Sequence, residues 1–276
     1  MNAPDQPKLR LRDRRRRLMW VKVAAGTSVV VISLALIFYA ARRPEITITA
    51  IHVSGTHLVQ ADAVKAIAEQ GLQGSYAYLV PYGNSLVAPL SAVHDAIMRS
   101  FPPIKSVSIS RSGLQALDIQ VQERTPVALW CLPAQAGGTD ATDTSKPCYL
   151  MDADGYVFAH AAATDGYLRY FGPLSGNIIG STYLDSGFAS LDTLVTDIGK
   201  SIGHTPLSVT VDATSNDVSV AFADDGILQF VRTAERQATL DNIASVFASQ
   251  SFRDNKQFEY ADFRFGNKVY VKFKGQ

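Results

Sequence analysis

Residues 101–130 read FPPIKSVSISRSGLQALDIQVQERTPVALW. Pro102-Pro103 cannot prolong a helix, so any helix arriving there must stop. IKSVSISR (104–111) and ALDIQVQE (116–123) alternate apolar and polar side chains, the period of a half-buried strand. Ser112-Gly113 between them signals a short hairpin connection. A further apolar strand, VALW, begins after Pro126. The stretch thus holds the end of one folded unit and the start of another.

Upstream, Leu90, Val93 and Ile97 form one helical stripe, which predicts a helix near 90–100 ending at the double proline. YLVPYGNS is turn-rich. ADAVKAIAEQG (61–71) places Val64 and Ile67 on one helical face with Gly71 as the stop. ITITAIHVSG (46–55) alternates Ile46, Ile48, Ile51 and Val53, a strand ending at Gly55. Residues 45–124 are therefore expected to fold as a small unit in the order strand, helix, helix, strand, strand.

Further upstream, residues 21–41, VKVAAGTSVVVISLALIFYAA, form one apolar stretch whose only charge is Lys22. As a helix they would cover about 31 Å, the depth of a bilayer core. Residues 1–20 carry seven basic groups against Asp5 and Asp13. That excess predicts a cytoplasmic tail, a single span and translocated C-terminal domains. A cleaved signal peptide would need a shorter apolar run and a small residue where Tyr39 stands. The tail, charged and nearly lacking apolar side chains, reads as disordered. Beyond residue 43 the chain has 16 basic and 23 acidic groups. That balance gives no reason to expect nucleic-acid binding.

Downstream, residues 126–276 read as a second, β-rich domain. Strands are expected at 127–131, 148–152, 156–160, 206–212, 217–223 and 227–232, with helices at 187–202 and 234–249. KQFEYADFRFGNKVYVKFK (256–274) reads as two strands around Gly266-Asn267. Aromatics fall on both faces of its first strand. That favours a partner contact on the second face, unless helices of the same domain cover both. A final strand at a sheet edge would leave N–H and C=O groups for another chain to pair. Cys131 and Cys148 are the only cysteines. If VALW and YLM pair as a hairpin, the two sulfurs lie opposite each other and a disulfide closes the polar loop between them; two free thiols are the alternative.

No catalytic grouping stands out. Histidines 52, 57, 94, 160 and 204 are scattered, and zinc needs three or four convergent ligands. Asp152-Ala-Asp154-Gly155 starts like a calcium loop but lacks the closing Glu, so it reads as a turn. FGPLSG lacks the Lys-Ser/Thr of a phosphate loop. No cofactor, metal or small-molecule substrate is expected.

Four blocks in order resemble the bacterial division proteins of the FtsQ/DivIB family. ITAIHVSGTHLVQADAVKAIA is similar to the opening of its POTRA domain. The 101–130 stretch resembles its Glu-Arg-x-Pro-Val-Ala block, here Glu123, Arg124, Pro126, Val127 and Ala128. YLMDADGYVF resembles its Asp-x-x-Gly-x-Val-Phe hairpin, and FEYADFRFGNKVYVK its closing Tyr-x-Asp-x-Arg strand pair. The Cys131–Cys148 insertion lies outside the family pattern.

The resemblance implies an α+β chain: one transmembrane helix, a βααββ POTRA domain, then a mainly antiparallel β-domain with helices on one face. It implies a non-enzymatic divisome scaffold in the cell inner membrane at the septum, its domains periplasmic. Partners would be FtsB and FtsL homologues, with FtsB adding a strand at the C-terminal edge. Carried onto this sequence, the partner-binding residues are Tyr260, Asp262, Arg264, Phe265, Lys268, Val269 and Tyr270. Arg264 would clamp a partner carboxylate or pair with a local acid such as Asp262. The alternative is a POTRA-bearing membrane-anchored chaperone or secretion component.

Overall fold

The computed structural model describes residues 11–132, 147–163, 166–223, 226–232, 234–254, 257–266 and 268–275. The chain is α+β. Its contacts divide it into one unit of Met1–Phe101 with Ser106–Gln122 and another of Pro102–Lys105 with Glu123–Gln276.

Helix α1 spans Leu11–Ala40. Over Arg15–Ala40 it reaches a mean hydropathy of 2.2 and none of its apolar window is covered by protein, so it is long and apolar enough to cross a membrane. The expectation of a disordered tail over residues 1–20 is corrected for 11–20, which are helical; residues 1–10 lie outside the described residues. Leu, Met and Arg are strong helix formers, and the apolar span supplies a nucleus from which the helix propagates backward at little cost.

The rest of the first unit contains β1 (Ala50–Ser54), α2 (Ala61–Gly71), β2 (Ser75–Tyr76), β3 (Val80–Pro81), α3 (Leu90–Ser100), β4 (Ile104–Ser112) and β5 (Ala116–Glu123). The sheet order is β1-β5-β4, with β1 parallel to β5. The parallel pairing follows from the helical crossover between strands, which returns the chain in the same direction. Val64 and Ala68 of α2, Val93 and Ile97 of α3, and Leu117, Ile119 and Val121 of β5 are buried. Gly55 ends β1 at φ +83°, and a Cβ there would lie 2.1 Å from the Val121 carbonyl oxygen, so only glycine fits. The first strand starts later than its alternation suggests. Pro44 opens a 3-10 turn over Pro44–Ile46, and the backbone of Ile46 and Ile48 pairs with Ser85 and Gly83 instead of a sheet.

The second unit contains β6 (Ala128–Cys131), β7 (Cys148–Met151), β8 (Val157–His160), β9 (Leu168–Phe171), α4 (Phe188–Ile202), β10 (Pro206–Val211), β11 (Asp217–Phe222), β12 (Ile227–Val231), α5 (Arg236–Phe247), α6 (Gln250–Asp254), β13 (Phe258–Phe265) and β14 (Lys268–Phe273). Nine strands form one sheet in the order β14-β13-β12-β11-β10-β9-β6-β7-β8. Pairing is mainly antiparallel; β6/β9, β9/β10 and β12/β13 are parallel. α4 connects β9 to β10, and α5 with α6 connects β12 to β13, as parallel neighbours require. Strand β9 was not foreseen in the sequence. The loops 133–146, 224–225 and Asn267, read as turns or insertions, lie outside the described residues.

One register row crosses the sheet on its inner face: Val271, Ala261, Leu228, Val220, Val209, Tyr170, Trp130 and Tyr149. Phe188, Leu191, Val195 and Ile198 of α4 and Ile243 of α5 join them in one core. Each such side chain contributes about 1.5–3 kcal/mol on burial. The helices α4 and α5 therefore cover one face of the sheet.

Two blocks read separately in the sequence meet in this unit. The buried Asp152 carboxylate accepts hydrogen bonds from the Asp154 and Tyr156 amides, at 2.9 and 3.0 Å, and from Arg124. The Arg124 guanidinium lies 3.9 Å from the Tyr156 ring centroid. The Asp-x-x-Gly turn thus seats the arginine of the Glu-Arg-x-Pro block. Gly155 turns at φ +80°, where a Cβ would lie 2.7 Å from the Tyr183 carbonyl oxygen.

Candidate partner-docking edge

The C-terminal ribbon is built by sequence alternation around Gly266, which takes φ +66° at the turn. Inner-face residues Phe258, Ala261, Phe263 and Phe273 are buried; Val269 and Val271 pack partly buried against the same core. The outer face carries Tyr260, Lys272, Asp262 and Tyr270. Two irregularities in the β13/β14 register, at 258–260 and 262–265, shift which residues face outward. A strict alternation over β13 fails for that reason.

Across this face the register is explicit. Tyr260 lies between Ile227 of β12 and Lys272 of β14; Asp262 lies between Gln229 and Tyr270. Tyr260, Phe265 and Tyr270 are 38, 55 and 51% exposed. The rings of Phe265 and Tyr270 meet edge to face at 5.3 Å. Ile227 is also exposed. An open groove lined by Ile227, Gln229, Tyr260, Asp262, Arg264, Phe265 and Tyr270 results. Aromatics with a polar rim around one pair of charges have the composition of a protein-docking surface.

Arg264 is the hub of that groove. Its Nε and Nη2 donate to the two Asp262 oxygens at 2.9 and 2.7 Å, and its Nη1 donates to Asp217 Oδ2 at 2.8 Å. The hydrogen bond from Arg264 holds the Asp262 carboxyl below the ordinary carboxylate range, against the opposing effect of burial. Asp262 in turn, followed by Asp217, raises the Arg264 guanidinium. The structure therefore gives Arg264 two local acids, and its five donors are largely spent within the chain. Lys272 donates to Glu259 at 2.7 Å, which raises the ammonium.

The structure separates the seven residues of the sequence reading into two groups. Over Tyr260–Asp262 the β13 backbone is paired on both sides, to β12 and to β14. The sheet order makes β14, not β13, the terminal strand. Lys268, Val269 and Tyr270 sit on the edge strand, while Tyr260, Asp262, Arg264 and Phe265 lie on β13 and shape the face beside it. Among the described residues no strand pairs with the outer side of β14. Ile227 and Gln229 were missed, because the parallel β12/β13 register leaves no local signature in either strand.

Cys131 and Cys148 are directly opposite in the β6/β7 hairpin, with Cα atoms 4.2 Å apart and a disulfide between them. They lie at the other end of the sheet from β14. Among the described residues no three His, Cys, Asp or Glu side chains are grouped to hold a metal ion.

Comparison with family models matches residues 46–124 to the POTRA domain, FtsQ-type. The chain carries an FtsQ-type POTRA domain. That match supports the FtsQ/DivIB family for this protein. It spans β1 to β5 with both intervening helices and ends at Arg124, inside the Glu-Arg-x-Pro block. The sheet bearing the β14 edge lies outside the matched residues. The FtsQ-type domain supports a protein-interaction role in division, and the family is in general a non-enzymatic scaffold. No curated protein matches the chain.

Proposed function

We propose that this protein is a membrane-anchored divisome scaffold that captures a partner strand along β14. α1 is the anchor, with a cytoplasmic N-terminus and periplasmic domains in the inner membrane at the septum. The basic residues of 8–17, at the N-terminal end of α1 and just before it, support that orientation. The FtsQ-type domain supports homologues of FtsB and FtsL as partners. The observation that carries the reading is the position of β14 at the end of the nine-stranded sheet, beside an exposed aromatic face. In antiparallel pairing alternate residues of an edge strand turn N–H and C=O outward, so an incoming strand gains affinity from the backbone. Tyr260, Phe265 and Tyr270 would select its side chains.

Photo-crosslinking tests this directly. A photoactive residue at positions 268–271, in dividing cells, is expected to trap the FtsB homologue, whereas one at Ala159 on β8 is not. Equal trapping from both ends of the sheet, or none from β14 while the complex still assembles, would defeat the proposal.

A further inference from the structure

The POTRA unit carries a hairpin, β2 and β3, with an exposed apolar tip. β2 and β3 are joined by Ala77-Tyr78, both left-handed at φ +46° and +62°, with the Leu79 amide donating to the Tyr76 carbonyl at 2.8 Å. This tight turn favours Asn-Gly, and two side-chain-bearing residues there are strained. Tyr78 at this turn is 91% exposed, and Tyr76, Leu79, Leu86 and Val87 are exposed as well.

The place of this hairpin names its occupant. The Arg42 guanidinium donates to the Tyr78 carbonyl at 3.1 Å, and the Asn84 side-chain amide donates to the carbonyl of Ala41 at 2.8 Å. Ala41 and Arg42 directly follow α1, the candidate membrane span. Arg42 and Arg43 lie over the rings of Phe38 and Tyr39, at 4.1 and 5.3 Å from their centroids. The β4/β5 turn reaches the same end: Gln115 donates to the Pro44 carbonyl at 3.1 Å, and Leu114 next to it is exposed. Aromatic rings and arginines at the end of a span are the composition of a membrane interface. Tyrosine suits that layer because its ring prefers apolar surroundings and its hydroxyl prefers water.

The geometry points to a second membrane contact: the Tyr76–Leu79 hairpin inserts into the headgroup layer of the bilayer that α1 crosses, seating the POTRA unit on the lipid. The inference rests on α1 being a membrane span and not on strand capture at β14. Its ligand is the bilayer surface itself. Arg42, bonded to the Tyr78 carbonyl, would favour anionic headgroups.

The test uses the full chain in vesicles of phosphatidylethanolamine and phosphatidylglycerol. Cys131 and Cys148 are disulfide-bonded, so Tyr78→Cys supplies one reactive thiol for a polarity-sensitive fluorophore. Leu86→Cys is a second position in case the strained turn does not tolerate the label. Asp62→Cys, at the start of α2 beyond the far end of β1, is the control. The labels at 78 and 86 are expected to emit to the blue of that at 62. They should lose most of their emission to lipids carrying a shallow nitroxide and resist iodide. Emission and quenching equal to those of the control would overturn the inference. Failure of the chain to float with the vesicles would overturn the membrane span as well, so the two failures are distinguishable.

Discussion

The two ends of the nine-stranded sheet are treated in opposite ways. At the β8 end the Val157 amide donates to the Ser181 carbonyl at 2.9 Å, and the Gly180 amide donates to the Val157 carbonyl at 2.8 Å. Tyr156 and Thr182 add an isolated bridge. One strand further in, a disulfide joins β7 to β6. At the β14 end, among the described residues, no segment takes that covering position. Lysines 268 and 272 alternate along β14 with Tyr270 between them. Charged side chains on an edge discourage pairing with a second copy of the same edge. One end is covered by its own chain at the start of β8, and the other is left open.

Proline in either terminal strand has the largest expected effect. Val271→Pro removes a ladder donor from β14, and partner capture is expected to fall beyond about a hundredfold, since strand addition depends on a continuous backbone edge. The check is a titration of labelled variant against the purified partner, with circular dichroism confirming the fold. Ala159→Pro on β8 should lower stability and leave capture intact. If it is the β8 variant that loses capture, the assignment of the two ends is wrong.

Removal of the disulfide by the double substitution Cys131→Ser and Cys148→Ser is the next largest effect. It should cost about 3 kcal/mol of stability, from the loop it closes, without changing partner affinity. Chemical denaturation measured with and without reductant checks both halves of that statement. On the open side, Phe265→Ala and Tyr270→Ala should each weaken binding by about 1–2 kcal/mol while barely altering the denaturation midpoint.

The smallest effect concerns pH. The Asp262 carboxyl is depressed in the folded state by Arg264. Its contribution is therefore fully present above the unfolded value of about 3.9 and is lost as pH falls toward the folded one. Asp262→Asn should flatten the acid limb of the stability profile, by on the order of 1 kcal/mol given the partial exposure of Arg264, and leave neutral pH slopes unchanged. An unaltered acid limb in that variant would remove Asp262 from the account.

Much of this architecture is legible in the chain, and the reasons are local. The strand alternation in 104–123 and the helical stripe at Leu90, Val93 and Ile97 give the first unit, because each face has one environment. The helix over 187–202 is equally plain, since its apolar stripe meets a single core. Strand β9 is not legible: LRYF has four residues and no alternation to distinguish it. The docking face is only half legible. The aromatic excess on β13 marks it, but the register shifts of β13/β14 and the parallel partner β12 are set by tertiary packing. The meeting of Arg124 with Asp152 also eludes the sequence, because neither block carries any mark of the other.

Amide hydrogen exchange along β14, with and without the partner, addresses the proposal of strand capture most directly. Alternate amides of residues 268–273 should exchange readily in the free protein and become strongly protected in the complex, while β8 stays unchanged. A tight complex in which the β14 amides exchange as they do alone would contradict strand addition.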